Sequence, residues 1–437
     1  MIKVVKFGGS SVASAEQFKK VKNIIESDSK RRIVVVSALG KRFSKDSKIT
    51  DMLYLLSYHI KYNVDSTAIF SQIESRYEEV RKELDININL KREFDIIRDN
   101  IKNGASEDYL VSRGEYLCGK MMASYLGYEF VDAADVIFFK YDGSIDNERT
   151  IDAVKSRFAV CKKMVVPGFY GTFPTGDIKL FSRGGSDITG SILAMALNVE
   201  KYENWTDVSG LLMADPRIVE NPKSICEITY DELRELSYMG ASVLHEETIF
   251  PVRELNIPIH ILNTNKPNDE GTIICRDSTK NNYFITGVSG KRNFTAFTVV
   301  KAMSENKLNV IRDTLNVLEK FKVVVEHIPT SIDSFSIIVE SKTAEKSIYD
   351  IISEIKKIKG VISVDVDNDI ALVAVVGRNM ALKPGIAGEI FSLFGKNKIN
   401  VKTIAQGTKE INIIVGVSNS DFENAIRTIY SGVVLGE

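Results

Sequence analysis

The residues MIKVVKFGGSSVASAEQFKKVKNIIESDSKRRIVVVSALG, positions 1–40, decide the fold. Lys3–Phe7 is a short apolar run rich in β-branched residues, and Gly8-Gly9-Ser10-Ser11 breaks it. Phe18, Val21, Ile24 and Ile25 then recur at helical spacing. Residues 33–36 are Ile-Val-Val-Val, apolar at every position, as in a strand buried on both faces of a parallel sheet. Strand, helix and strand in that order make one βαβ unit, whose crossover is right-handed.

Outward from this unit, residues 48–101 read as long, charged helices that cover part of a site rather than build the sheet. Helix and strand alternate again at 115–126, 131–133, 151–158, 164–166, 187–196 and 202–206. The pattern predicts an α/β domain over residues 1–280, with an open, mostly parallel sheet between helices.

The last third of the chain contains an internal repeat. A shift of 76 residues places Leu315 on Phe391, Leu318 on Phe394, and Val323, Val325 and Ile328 on Ile399, Val401 and Ile404. Phe335, Ile337 and Val339 fall on Ile411, Ile413 and Val415, and Lys322 falls on Lys398. Each copy reads strand, helix, strand, strand, a small α+β unit with alternating strands. The expected division is 284–360 and 368–437, a region that either binds a ligand or is a duplicated structural domain.

Composition narrows the function. The 437 residues carry 57 Lys plus Arg against 58 Asp plus Glu, a net charge of -1, without the basic excess of a nucleic-acid binder. Cys118, Cys161, Cys226 and Cys275 lie far apart, in no zinc or disulfide spacing. The four histidines form no ligand pattern. Residues 1–7 lack the features of a signal peptide, and no run of about 18 apolar residues suggests a membrane span. The expectation is a cytoplasmic protein.

Four motifs could carry chemistry. Lys6-Phe7-Gly8-Gly9-Ser10-Ser11 places a lysine at a strand end before glycines that expose N–H groups, which suits phosphate. It matches neither GxxxxGK[ST] nor GxGxxG, and a plain strand-to-helix turn fits equally. Arg183-Gly184-Gly185-Ser186-Asp187 is a second such turn, with an arginine suited to bidentate carboxylate binding. Asp187 alone could simply be a helix N-terminal acid. In Ser112-Arg113-Gly114-Glu115 the acid could receive an ammonium group, or Ser112 and Glu115 could form a capping box. Thr206-Asp207 ends a strand, where open α/β sheets bind ligands, and Arg217 and Lys223 follow; an ordinary turn with solvated charges is the alternative.

Taken together, KFGGSSV at 6–12, VVVSALG at 34–40, SRGEYL at 112–117, RGGSDIT at 183–189, TDVSGLLMADPRIV at 206–219 and GASVLH at 240–245 resemble aspartate kinases of the amino acid kinase superfamily. The likeness spans essentially the whole chain, and the repeat over about 284–437 resembles the family's tandem ACT domains. It implies transfer of a phosphoryl group from ATP, with Mg2+, to the side-chain carboxylate of L-aspartate. By resemblance, Lys6 stabilises the transferring group and Asp187 organises Lys6 and the metal region, with no direct protein ligand to the metal. Gly8, Gly9, Ser10 and Ser37 line the phosphates. Arg183 clamps the α-carboxylate of aspartate, Glu115 its α-ammonium, and Thr50 and Ser186 position it. Thr206, Asp207, Arg217 and Lys223 hold the nucleotide. An amino-acid effector, lysine or threonine with lysine favoured, would bind near Ser304, Lys307, Val325, Glu326, Thr330 and Ser331. Glu326 could equally be a solvated strand-end acid. A homodimer or dimer of dimers through the ACT domains is implied.

The chain departs from the family pattern at Leu212, where an aromatic is usual, at Ser242, where lysine is common, and at Glu246, where proline is common. No dinucleotide fingerprint follows residue 280, so a monofunctional kinase rather than a fusion to homoserine dehydrogenase is expected. Two other readings stand beside this one. One keeps the fold and changes the acceptor to glutamate, acetylglutamate, carbamate or a nucleoside monophosphate, against which the Glu115 and Arg183 pair argues. The other is a non-catalytic amino-acid sensor, against which Lys6, Arg183 and Asp187 argue.

Overall fold

A computed structural model describes residues 2–182, 184–240, 244, 246–278, 284–407 and 411–434. Arg183 and Ser242 therefore lie outside the described residues. The chain forms two compact units. Met1–Leu211, Ser224–Tyr230 and Val243–Ser278 make the first, and Leu212–Lys223, Asp231–Ser242 and Thr279–Glu437 the second.

The first unit is built on an eight-stranded sheet. Its strands are β1 (Lys3–Phe7), β2 (Arg31–Val36), β3 (Glu129–Phe130), β4 (Met164–Pro167), β7 (Lys201–Thr206), β8 (Glu227–Thr229), β9 (Ile259–Asn263) and β10 (Thr272–Cys275). A separate hairpin joins β5 (Tyr170–Thr172) and β6 (Ile178–Leu180). The sheet order is β8-β10-β9-β7-β1-β2-β4-β3, and every pairing is parallel except β9 with β10. Val4, Val5 and Phe7 on β1 and Ile33, Val34, Val35 and Val36 on β2 are fully buried. The apolar run thus occupies the centre of the sheet, where each such side chain contributes roughly 1.5–3 kcal/mol by burial.

Helix α1 (Ala15–Glu26) crosses from β1 to β2; Ser14 caps it by accepting from the Gln17 N–H, and it buries Phe18, Val21, Ile24 and Ile25. Helices α2 (Ile49–Lys61), α3 (Thr67–Glu83) and α4 (Leu90–Lys102) occupy the charged stretch and α5 (Glu107–Leu126) follows. Helices α6 (Asn147–Cys161), α7 (Gly185–Leu197) and α8 (Glu246–Arg253) complete the unit. Two local expectations are corrected. Ser106, not Ser112, caps α5, and Ser112 sits inside the helix with its Oγ donating to the Tyr109 carbonyl. The expected strand at 131–133 is instead Glu129–Phe130, followed by a 3-10 turn at Ala133–Asp135.

The chain leaves β1 toward β2 on one side, and β7 pairs on the other. The carboxyl ends of β1, β2 and β7 therefore meet at a switch point, the place where open α/β sheets hold ligands. Adjacent residues on β7 point to opposite faces of the sheet. On one face Glu203 is buried and accepts from Lys3 Nζ (2.9 Å), Arg31 Nε (2.8 Å) and Trp205 Nε1 (3.0 Å). Burial alone would push its carboxyl up, but Arg31 and Lys3 hold it below the usual range.

The second unit contains a six-stranded antiparallel sheet. Its strands are β11 (Gly287–Lys301), β12 (Val325–His327), β13 (Ser334–Glu340), β14 (Val361–Val376), β15 (Thr403–Gln406) and β16 (Asn412–Val417), in the order β12-β13-β11-β14-β16-β15. Helices α9 (Lys307–Lys320), α10 (Ile348–Lys356), α11 (Ile386–Lys396) and α12 (Phe422–Ile429) pack with it. The repeat is visible in the backbone: Lys322 and Lys398 both have φ 57°, and Val323 N–H donates to Leu318 O as Ile399 N–H does to Phe394 O.

The two long strands serve both copies. Phe294–Lys301 of β11 pairs with the first half of β14, and Gly287–Lys291 pairs with Leu372–Val376. A register shift between Lys291 and Phe294, with Asn293 at φ 66°, separates the halves. The first copy runs continuously from the second half of β11 to the first half of β14. The second copy closes with the first half of β11, a strand that precedes the first copy in sequence. A linear repeat search sees the shift of 76 but not this exchange of strands.

Candidate active site

The site grows from three strand ends. After Phe7 the chain turns at Gly8, whose N–H donates to the Trp205 carbonyl (3.0 Å), so the β1–β7 pairing continues into the turn. After Val36, Ser37 N–H donates to the Phe7 carbonyl (3.1 Å) and Gly40 N–H to the Gly9 carbonyl (2.9 Å). A Cβ on Gly40 would lie 2.4 Å from the Gly9 carbonyl carbon, so only glycine lets the two turns close on each other. The turn before α7 uses Gly184 at φ 60°. These turns and the end of β7 line one cavity of about 650 Å3.

Lys6, Gly8, Gly9, Ser10, Ser37, Thr50, Glu115, Ser186, Asp187, Thr206 and Asp207, all expected site residues, line that cavity. Lys6 is buried, and its Nζ lies 2.5 Å from Asp187 Oδ1. Asn204, paired with Lys6 across β1 and β7, completes a triangle: Nδ2 donates to Asp187 Oδ1 (2.9 Å), and Oδ1 accepts from Lys6 Nζ (3.5 Å). Both contacts to Asp187 fall on Oδ1, which leaves Oδ2 without a protein partner among the described residues. Asp187 is thus more than a helix N-terminal acid.

Glu115 presents the opposite situation. It is buried on α5, and Gly114 lets the helix approach Ala38, whose side chain would lie 2.9 Å from an added Cβ. Burial pushes the Glu115 carboxyl up to about 8, although the Ala38 N–H donates to it. Its Oε2 has no hydrogen-bond partner among the described residues. A buried carboxyl with an unfilled acceptor is a receptor for a cation or a donor.

Among the residues that escaped the sequence reading are Asn204, which contacts Lys6 and Asp187, and Phe169, which lines the cavity. Asn204 is buried on β7, whose sequence Lys-Tyr-Glu-Asn-Trp-Thr is mixed in polarity, so nothing in the strand singled it out. Phe169 follows Gly168 with φ 80°, a conformation rare for an aromatic residue and typical of strained functional positions. Its N–H donates to Thr189 Oγ1 (3.1 Å), which holds it against α7. Nothing in the sequence marked it.

Arg217 and Lys223 belong to the second unit. There the Arg217 guanidinium is exposed and paired with Asp215, and the Lys223 N–H donates to Tyr430 Oη (2.7 Å). Among the expected effector residues, Lys307 opens α9 and its Nζ donates to the Ser331 carbonyl (2.6 Å). Val325 and Glu326 lie on edge strand β12, Thr330 bridges Phe335, and Ser304 is exposed in the turn before α9. The shift of 76 carries Ser304, Lys307 and Thr330 onto Met380, Lys383 and Gln406, which line a cavity of about 320 Å3 at the start of α11. Leu212 is partly exposed, and Glu246 opens α8. Among the described residues no helix is long and apolar enough to cross a membrane.

An open α/β sheet with a buried lysine, two glycine turns and a carboxylate at its switch point defines a class, and comparison with known proteins agrees. Residues 1–263 match the amino acid kinase family and residues 373–432 an ACT domain. The chain is 32% identical over 455 residues to aspartokinase 3 of Bacillus subtilis, covering 100% of this chain and 99% of that one. It is 50% identical to the solved aspartate kinase of Clostridium acetobutylicum, with a TM-score of 0.94 over 99% of this chain and 100% of that chain. Escherichia coli aspartokinase III, solved with aspartate and ADP, shares the fold at 24% identity and a TM-score of 0.76, covering 99% of this chain and 100% of that chain. The chain belongs to the amino acid kinase family. Within that family it is an aspartokinase, with C-terminal ACT domains.

Proposed function

We propose that the cavity at the switch point transfers the γ-phosphoryl group of ATP to the β-carboxylate of L-aspartate, with the residue roles expected from the sequence. The observation that carries this reading is one cavity holding a buried lysine fixed by Asp187 and Asn204 beside a buried Glu115 with an open acceptor. The acceptor carboxylate is already ionised near neutrality, so the reaction needs no strong base. An oxygen of the β-carboxylate bonds to the γ-phosphorus as the bond to the β,γ-bridging oxygen breaks, and ADP leaves with the electron pair. Catalysis is then positioning and charge stabilisation. Lys6 Nζ meets the charge on the transferring group, and Asp187 and Asn204 fix where it points. The N–H groups of Gly9 and Ser10 face the phosphates, while that of Gly8 is held by the Trp205 carbonyl and fixes the turn. Glu115 receives the α-ammonium, and Thr50 and Ser186 orient the acceptor. Mg2+ bound with the phosphates would neutralise oxyanion charge, and the carboxylates of Asp187 and Asp207, which line the cavity, would hold its water shell.

We further assign residues 1–280 to catalysis and 284–437 to regulation. Lysine is the favoured effector, bound around Lys307, Glu326 and Ser331, with a homodimer through the six-stranded sheet, whose edge strands β12 and β15 each leave one side unpaired within the unit. The soluble chemistry of ATP and aspartate fits a cytoplasmic enzyme. Trapping the acyl phosphate with hydroxylamine, using aspartate and then glutamate, with and without lysine and threonine, tests the reaction, the acceptor and the effector. An aspartate-dependent signal suppressed by lysine is expected. No signal with either amino acid in protein that binds ATP overturns the acceptor assignment.

A further inference from the structure

The charges that line the active-site cavity do not balance its substrates. The described lining contains three lysines, Lys6, Lys41 and Lys48, and three acidic residues, Glu115, Asp187 and Asp207, of which burial keeps Glu115 protonated near neutrality. Lys6 is engaged by Asp187. Lys41 and Lys48 make no ion pair or side-chain hydrogen bond among the described residues, and both are exposed to the cavity.

They are also brought together. The Ile49 N–H donates to the Leu39 carbonyl (3.2 Å), which closes residues 39–49 into a loop with Lys41 and Lys48 on its two stems. The buried Arg76 holds this loop from below, donating to the Gly40 carbonyl (2.9 Å), the Ser47 carbonyl (3.3 Å) and Asp46 Oδ2 (3.0 Å). Arg42 takes the same carboxylate through Nε (2.9 Å) and is in turn held by Glu79. The loop's one acid is thus occupied by two arginines, which hold its carboxyl far below the usual range, and it cannot quench the lysines. One stem begins at Gly40, zipped to the Gly9 turn, so Lys41 stands beside the phosphate turn.

We propose that Lys41 and Lys48 form a second anion clamp for the triphosphate of the nucleotide, presented by a loop that Arg76 and Arg42 staple through Asp46. The proposal rests on the phosphoryl-transfer reading of this cavity. Lysine suits the role as a mobile point charge that can follow the phosphate chain, whereas Lys6 is fixed.

The test is Lys41→Met, Lys48→Met and the double variant, with Mg-ATP, ADP and adenosine affinities read by calorimetry and initial rates by hydroxamate trapping. A hydrogen bond to a charged group is worth about a factor of ten or more, so the double variant should lose about 100-fold in Mg-ATP affinity. It should lose less for ADP, and nothing for adenosine, which also reports that the site is folded. Mg-ATP affinity within about threefold of the parent, by the same energetic scale, overturns the clamp. So does a rise confined to the KM for aspartate, which would give the pair to the acceptor. A parent enzyme that yields no acyl phosphate while the variants lose Mg-ATP affinity would sink the acceptor reading and leave the clamp standing.

Discussion

The two faces of β7 carry the same kind of group in opposite circumstances. On one, Glu203 is buried and every interaction is filled, by Lys3, Arg31 and Trp205. On the other, around Asn204, the charges are largely withdrawn from water, but among the described residues Asp187 keeps one oxygen and Glu115 one oxygen without a partner. The first arrangement is complete without a ligand and serves the sheet. The second becomes complete only when something enters, and that incompleteness marks the functional face more clearly than burial or charge alone.

The largest expected effect breaks the satisfied side. Glu203→Gln leaves Lys3 and Arg31 partly uncompensated and should cost about 3–5 kcal/mol of stability, read by chemical denaturation. The kcat of the remaining folded enzyme should hold, because these residues lie across the sheet from the cavity. A loss of kcat without a loss of stability would erase the distinction between the faces. On the other side, Lys6→Ala should lower kcat by about 10²–10³-fold, the usual effect of removing one preorganised charge stabiliser, with only a small change in unfolding midpoint.

Glu115 sharpens the comparison through pH. Its carboxyl is raised from 4.5 to about 8 in the folded protein, so the native state holds a proton that the unfolded chain releases. This contribution to stability is full below pH 4.5 and is lost as pH rises toward 8. Glu115→Gln, which cannot ionise, should therefore gain stability over the parent progressively across that window and gain none below it. Substrate binding runs the other way, because an ammonium group favours the ionised carboxylate. The KM for aspartate in the parent should fall by up to about tenfold per pH unit on the approach to pH 8, by linkage, and should be flat in Glu115→Gln. A flat parent profile would show that Glu115 does not receive the ammonium.

How much of this was legible follows from the physics of each position. The β1–α1–β2 unit was readable because burial on both faces makes the apolar run continuous. Lys6, Asp187 and the glycine turns were readable because local geometry constrains which residues they can be. The second copy's borrowed strand was not, since pairing between Gly287–Lys291 and Leu372–Val376 is a long-range event with no local signature. Nor was Phe169, whose N–H is bonded to Thr189 of α7, or Ser112, whose capping pattern is real in sequence but lies within a helix already begun at Glu107. Arg76, the staple of the 39–49 loop, reads in sequence as one more charged residue of a surface helix.

Asn204 gives the smallest effect and the finest test. Its side chain accepts from Lys6 and donates to Asp187, so it sets the distance between them without carrying charge. Asn204→Ala opens a gap behind Lys6 and Asp187, both of which line the cavity, so water entering from it can replace part of both contacts. The loss should therefore sit near the low end for a hydrogen bond to a charged group, about tenfold in kcat, with both KM values nearly unchanged. Asn204→Asp keeps the shape but places a second carboxylate beside Asp187, so Lys6 would be drawn between two anions and away from the phosphoryl group. That variant should lose more kcat than Asn204→Ala despite being closer in size. If the alanine variant loses more, shape rather than charge governs the functional face, and β7 differs on its two sides only in packing.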